Sequence, residues 1–142
     1  MTTGLLKTLL AEDNLPTCVL LQSVLELYGI CRIADNGSEG VEAFKAAHAA
    51  GEPYNLVCLD IMMPVMDGRE ALRRIRRWEA EHGIKPEDAC KVLMTTALGD
   101  EANVRGAFDD GCDGYLVKPI DPVNLVVELR RVGLLAPAEV ET

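Results

Sequence analysis

An α/β fold, a five-stranded parallel sheet wound with helices on both faces, is the class this sequence predicts. Three observations predict it. Short apolar runs alternate five times with stretches of helical periodicity, a pattern that favours parallel strands joined by crossover helices. The run Asn55–Asp60 (NLVCLD) is continuously apolar up to its last residue, as strands buried on both faces are. The runs also end on polar groups, Glu12-Asp13, Asp60, Thr95-Thr96 and Lys118, at the edge where open α/β sheets bind ligands.

Each element has its own warrant. Leu5 to Ala11 (LLKTLLA) reads as the first strand. Asn14 can cap the next helix, with Pro16 tolerated in its first turn. Leu20, Leu21, Val24, Leu25 and Tyr28 recur at helical spacing, and Gly29 is expected to end that helix. Ile30 to Ala34 is the second strand. Ser38 is expected to cap a helix that turns Val41 and Phe44 inward and stops at Gly51. After the third strand, Asn55 to Asp60, a helix spans Gly68 to His82. Lys91 to Thr95 is the fourth strand, and the helix Asp100 to Asp109 follows, weakened by Gly106. Tyr115 to Val117 is the fifth strand. Asp121 and Pro122 open the last helix as cap and first-turn proline, with Val123, Leu125, Val126, Val127 and Leu129 as its apolar side. Residues 1–132 are expected to form one domain, and residues 133–142 a flexible tail.

Composition narrows the function. A chain of 142 residues with 49% apolar content fits a single domain with an ample core. A net charge of −9 opposes binding to nucleic acid, whose affinity comes from cations neutralising phosphates. No apolar stretch reaches the roughly 18 residues of a membrane helix, and the start MTTGLLKTLL has no secretory pattern. A cytoplasmic protein without a direct membrane or nucleic-acid partner is therefore expected. The five cysteines are odd in number and contain no CxxC pair, so they read as reduced thiols acting as small apolar residues.

The strand ends carry the chemistry. If the first and third strands are neighbours, Glu12, Asp13 and Asp60 converge in one cleft. Carboxylates so placed repel, and a cation must offset them. Mg²⁺ suits the oxygen donors and keeps waters and a phosphate as further ligands; Mn²⁺ shares that donor preference. A hydroxyl at Thr95-Thr96 and the Lys118 ammonium complete a phosphoryl site in which a carboxylate acts as nucleophile.

Four blocks in this order, LLAEDN at 9–14, LDIMMPVMDG at 59–68, VLMTTA at 92–97 and GYLVKP at 114–119, resemble the receiver domain of response regulators of two-component signalling. The likeness covers about residues 5 to 132. Asp60, Met63, Pro64, Asp67 and Gly68 meet that family's pattern Asp-x-x-Met-Pro-x-x-Asp-Gly. The resemblance implies a (βα)5 flavodoxin-like receiver fold, with Asp60 as the phosphoacceptor. It implies Mg²⁺ held by Asp13, Asp60 and the main-chain carbonyl of Met62, with Glu12 acting mainly through metal-bound water. Lys118 would pair with Asp60 and the phosphoryl group, and its bond to Pro119 would be cis. Thr96, followed by Ala97, would turn its hydroxyl to the phosphate, and the Tyr115 ring would move inward in response. Met62 and Leu98 occupy the positions that tune phosphoryl lifetime; both are apolar and are expected to slow self-dephosphorylation.

The partners so implied are a sensor histidine kinase or a histidine phosphotransfer protein as donor, and an output protein that reads the face of helix four, strand five and helix five. The chain would act alone or as a domain of a larger protein, as a monomer or a phosphorylation-dependent dimer, and as a signalling domain rather than an enzyme. Leu15, Cys18 and Val19 divide between core and docking patch. Arg69, Arg73, Arg74, Arg76 and Arg77 are expected as a solvated basic face, and His48 and His82 as surface residues. The rival is a metal-dependent phosphohydrolase with an aspartate nucleophile. Such enzymes carry a second acid two residues on, where this chain has Met62. A nucleotide-binding module is disfavoured, because AEDNLP after the first strand is no glycine-rich phosphate loop.

Overall fold

The computed structural model describes residues 5–137. In chain order it contains β1 (Leu6–Ala11), α1 (Leu15–Leu25), β2 (Gly29–Ala34), α2 (Gly37–Ala49), β3 (Leu56–Asp60), α3 (Gly68–Glu81), β4 (Lys91–Thr96), α4 (Glu101–Asp110), β5 (Gly114–Val117) and α5 (Pro122–Arg131). A 3-10 turn, Pro86–Asp88, precedes β4 and has no counterpart in the sequence reading. The strands form one parallel sheet in the order β2-β1-β3-β4-β5. The winding direction reverses between β1 and β3, which opens a crevice at their carboxyl ends.

Side-chain alternation along the strands sends the core both ways. Leu9, Val57, Leu59, Val92 and Met94 pack with Val41, Phe44, Leu72 and Ile75 of α2 and α3. Leu6, Leu10, Leu56, Cys58, Leu93 and Leu116 pack on the other face with Cys18, Leu21, Leu25, Leu125 and Leu129 of α1 and α5. β3 is buried at all five positions, Asp60 included. The central strand therefore has no solvent face, and its last residue is held from both sides.

Four local expectations are corrected. Gly29 does not end α1, which stops at Leu25; it starts β2 instead. A Cβ at Gly29 would collide with the Leu6 carbonyl on the neighbouring strand, so the position requires glycine for close backbone approach. The cap of α2 is Asn36, whose side chain accepts from the Glu39 amide, rather than Ser38. Only Leu125 and Leu129 of α5 are buried, while Val123 and Val127 are 66% and 50% exposed. The arginines of α3 are not a plain solvated face. Arg69 and Arg73 both donate to Asp110 of α4, at 2.9 and 3.0 Å. Arg76 donates to Glu79, to the Cys90 and Gly111 carbonyls and to Asp113.

Other surface groups also settle. Cys18 is buried, whereas Leu15 and Val19 are exposed. His48 and His82 flank Trp78, with His82 stacked at 3.9 Å between ring centroids. All five cysteines are free thiols. Leu134 and Leu135, just beyond α5, pack against the α1–α5 side of the core; the end of the expected tail, residues 138–142, lies outside the described residues. No described helix is long and apolar enough to cross a membrane.

Candidate functional site

The site stands at the carboxyl ends of β1, β3, β4 and β5, where a polar residue follows each apolar run. β1 delivers Glu12 and Asp13, and the β1–β3 pairing sets Ala11 beside Leu59. β3 delivers Asp60, opposite Thr95 of β4. β5 leads into Lys118, whose amide donates to the Thr96 carbonyl at 2.8 Å. The Lys118–Pro119 peptide is cis. Asp67 caps α3 through the Glu70 amide, and Gly68 passes so close to the Asp60 carbonyl that any Cβ there would overlap it. That contact sets the start of α3 against the end of β3.

Carboxylate oxygens of Glu12, Asp13 and Asp60 lie within 4.8 Å of one another. Glu12 and Asp60 are buried, at 3% and 4% exposure, while Asp13 faces solvent. Lys118 Nζ donates to Glu12 Oε2 and to Asp60 Oδ2, both at 2.9 Å. The Met62 amide donates to Asp60 Oδ1 at 3.1 Å. Burial, followed by hydrogen bonding with Glu12, pushes the Asp60 carboxyl up to about 6 against the opposing pull of Lys118. Burial pulls Lys118 down, but its bonds to Glu12 and Asp60 prevail and leave it raised. Three acids thus face one ammonium. The remaining negative charge, on hard oxygen donors open to solvent through Asp13, fits a small divalent cation such as Mg²⁺.

Around this centre Thr96 is buried and its hydroxyl donates only a long 3.4 Å bond to the Ala97 carbonyl. Tyr115 is 42% exposed, its ring edge-on to Phe108. Met62 and Leu98 are 66% and 86% exposed, so neither serves as core packing. Val65, in the loop after Asp60, has φ of 69° and sits within a tight turn closed by Met66 N–H to the Pro64 carbonyl. Thr95 is expected only as one of two threonines that could offer a hydroxyl to a phosphoryl group; its hydroxyl instead donates to Glu12 Oε1 at 3.0 Å. The side on which each of two adjacent threonines points is set by strand alternation, which places Thr95 toward Glu12.

Comparison with known proteins gives a consistent result. The family model described as response regulator receiver domain matches residues 8–130. The chain is 35% identical over 130 residues to the sensor histidine kinase GacS of Pseudomonas protegens, covering 90% of this chain and 13% of that one. It therefore spans only a small part of that relative. Among solved structures it resembles the complex of the Saccharomyces cerevisiae phosphotransfer protein Ypd1 with the receiver domain of Ssk1, with a TM-score of 0.79 and 26% identity over 94% of this chain and 92% of the other. It also resembles the CheX–CheY–BeF3–Mg²⁺ complex of Borrelia burgdorferi, with a TM-score of 0.74 and 28% identity over 92% and 91%.

Proposed function

Because this chain belongs to the response regulator receiver domain family, we propose that it accepts a phosphoryl group on Asp60 from a phosphohistidine of a sensor kinase or histidine phosphotransfer protein. The observation that carries this reading is Asp60 itself: a buried carboxylate at the mouth of an acidic cleft, bonded to Lys118 at 2.9 Å. At pH 7 a carboxyl that titrates near 6 is mostly ionised and nucleophilic. A carboxylate oxygen attacks phosphorus, the P–N bond breaks, and its electron pair returns to the imidazole. Lys118 would neutralise charge on the phosphoryl oxygens, and the Thr96 hydroxyl and Ala97 amide would donate to one of them.

Asp13 and Asp60 would hold Mg²⁺, or Mn²⁺ in its place, with the Met62 carbonyl as a further ligand and Glu12 acting mainly through metal-bound water. The cation supplies charge neutralisation for the transferring group. The chain assists its own phosphorylation and dephosphorylation in this way. Likeness to a complex of a receiver with a histidine phosphotransfer protein supports the donor class, and likeness to a BeF3–Mg²⁺ complex supports the cofactor.

Turning Thr96 toward the phosphoryl group and Tyr115 inward would reshape the face of α4, β5 and α5. That face carries exposed Phe108, Tyr115 and Val127 around a groove of about 440 Å³, which an output protein or a second copy would read. A phosphohydrolase finds no support, since the thioether of Met62 stands where turnover needs a second acid.

Intact mass after exposure to acetyl phosphate or a phosphorylated histidine phosphotransfer domain, with Mg²⁺, tests the reading. The native chain should gain one phosphoryl group, about 80 Da, and Asp60→Asn none. No gain from either donor in a folded, Mg²⁺-binding chain overturns it.

A further inference from the structure

Glu12 is held at more points than its ion pair with Lys118 alone would supply. Its side chain is fully buried and accepts three hydrogen bonds. Lys118 Nζ and the Asn14 amide approach Oε2 at 2.9 and 3.2 Å. The Thr95 hydroxyl approaches Oε1 at 3.0 Å. Thr95 lies on β4, Glu12 follows β1, and β3 runs between those strands. The bond therefore crosses over the end of the strand that carries Asp60, joining groups 83 residues apart.

A glutamate has one more rotatable bond than an aspartate, and each extra freedom must be lost to hold the carboxylate in place. Lys118 cannot fix it alone, because the same ammonium is shared with Asp60 and would be drawn to a phosphoryl group. The Asn14 amide bears on the same oxygen as Lys118. Thr95 is therefore the partner that fixes the second oxygen and sets the carboxylate plane. It is buried to 1% exposure, so water does not replace its hydroxyl, and its side chain is stiff at χ1.

We propose that Thr95 is a positioning residue for the cation site, orienting Glu12 across the end of β3 so that its carboxylate faces the Asp13–Asp60 cleft in a fixed plane. The inference rests on the phosphoacceptor reading and deepens it. Outer partners that orient metal ligands typically carry 10- to 100-fold in metal affinity. Because Glu12 would act largely through metal-bound water, the lower end applies.

The test is Mg²⁺ titration by calorimetry of the unphosphorylated chain at pH 7.5, for the native protein, Thr95→Val and Thr95→Ser. Valine keeps the shape and removes the hydroxyl; serine keeps the hydroxyl and removes a methyl. Thr95→Val should weaken Mg²⁺ affinity about 10-fold, with Thr95→Ser within about twofold of native. Equal affinity in native and valine chains overturns the inference while leaving the phosphoacceptor reading intact. So does equal weakening by valine and serine, which would make packing the cause. A folded native chain that takes up no Mg²⁺ overturns both. Thr95→Ala makes the same comparison should the valine variant fail to fold.

Discussion

Replacing Asp60 with asparagine should stabilise the folded chain at neutral pH in the absence of metal. Asp60 and Glu12 are both buried and share one ammonium. Burial raises the Asp60 carboxyl from 3.8 to about 6, so the folded state binds its proton more tightly than the unfolded chain. Stability from this group is full below about pH 4 and is lost as pH rises through about 6. At about 1.4 kcal/mol per pH unit, the difference sets a ceiling of about 3 kcal/mol on the destabilisation at pH 8. Asparagine retains an oxygen for the Met62 amide and frees Lys118 to serve Glu12, while the open side of the cleft screens part of the penalty. A gain of about 1–2 kcal/mol is expected, which for a chain of this length is about 3–8 °C in Tm. Thermal melts followed by circular dichroism, in EDTA at pH 8 and pH 4, measure it. The gain should be present at pH 8 and absent at pH 4. An asparagine variant no more stable than native at pH 8, or equally favoured at both pH values, would refute the reasoning, because the burial penalty would then not be electrostatic.

Three further outcomes follow from the same geometry. Arg76→Ala leaves Glu79, 3% exposed, with only the Cys90 amide as partner; urea unfolding should show a loss of about 3–5 kcal/mol, and a loss below about 1 kcal/mol would mean the Arg76 network is ornamental. Val65→Gly should raise stability by about 1 kcal/mol, since relief of a positive φ at a β-branched residue is worth about 1–3 kcal/mol and glycine returns about 0.5–1 of it as chain entropy; a lower urea midpoint in the variant would contradict this. Leu98→Asn should shorten the lifetime of phosphorylated Asp60 severalfold by admitting and orienting water, as measured by loss of the phosphoryl mass, and an unchanged decay would remove the shielding role given to this exposed leucine.

Much of the domain was readable because its signals are local or periodic. The apolar runs, the Asn14 and Asp121 caps and the polar residue closing each strand stand in the sequence as they do in the structure. What was missed depends on partners distant in the chain. Gly29 resembles a helix stop until Leu6 is seen beside it. The α3 arginines read as solvated because Asp110 and Asp113 lie more than thirty residues on. Val123 and Val127 fit an apolar helical stripe, yet only Leu125 and Leu129 of that stripe reach the sheet. Of two adjacent threonines, the family resemblance selected the second, and nothing local marked the first as a partner of Glu12.

Lys118 and Glu12 are separated by 106 positions, and their contact requires β1, β3, β4 and β5 to be aligned at once. Pairings this distant are formed late and slowly in folding, because the chain must close long loops before any contact rewards it. The Lys118–Glu12 contact therefore exists only once all four strands are in register. A nascent chain still lacking β5, or a fragment without it, carries Asp60 but not the ammonium bonded to it. An incomplete copy thus keeps the acids of the cleft without the cation that offsets them.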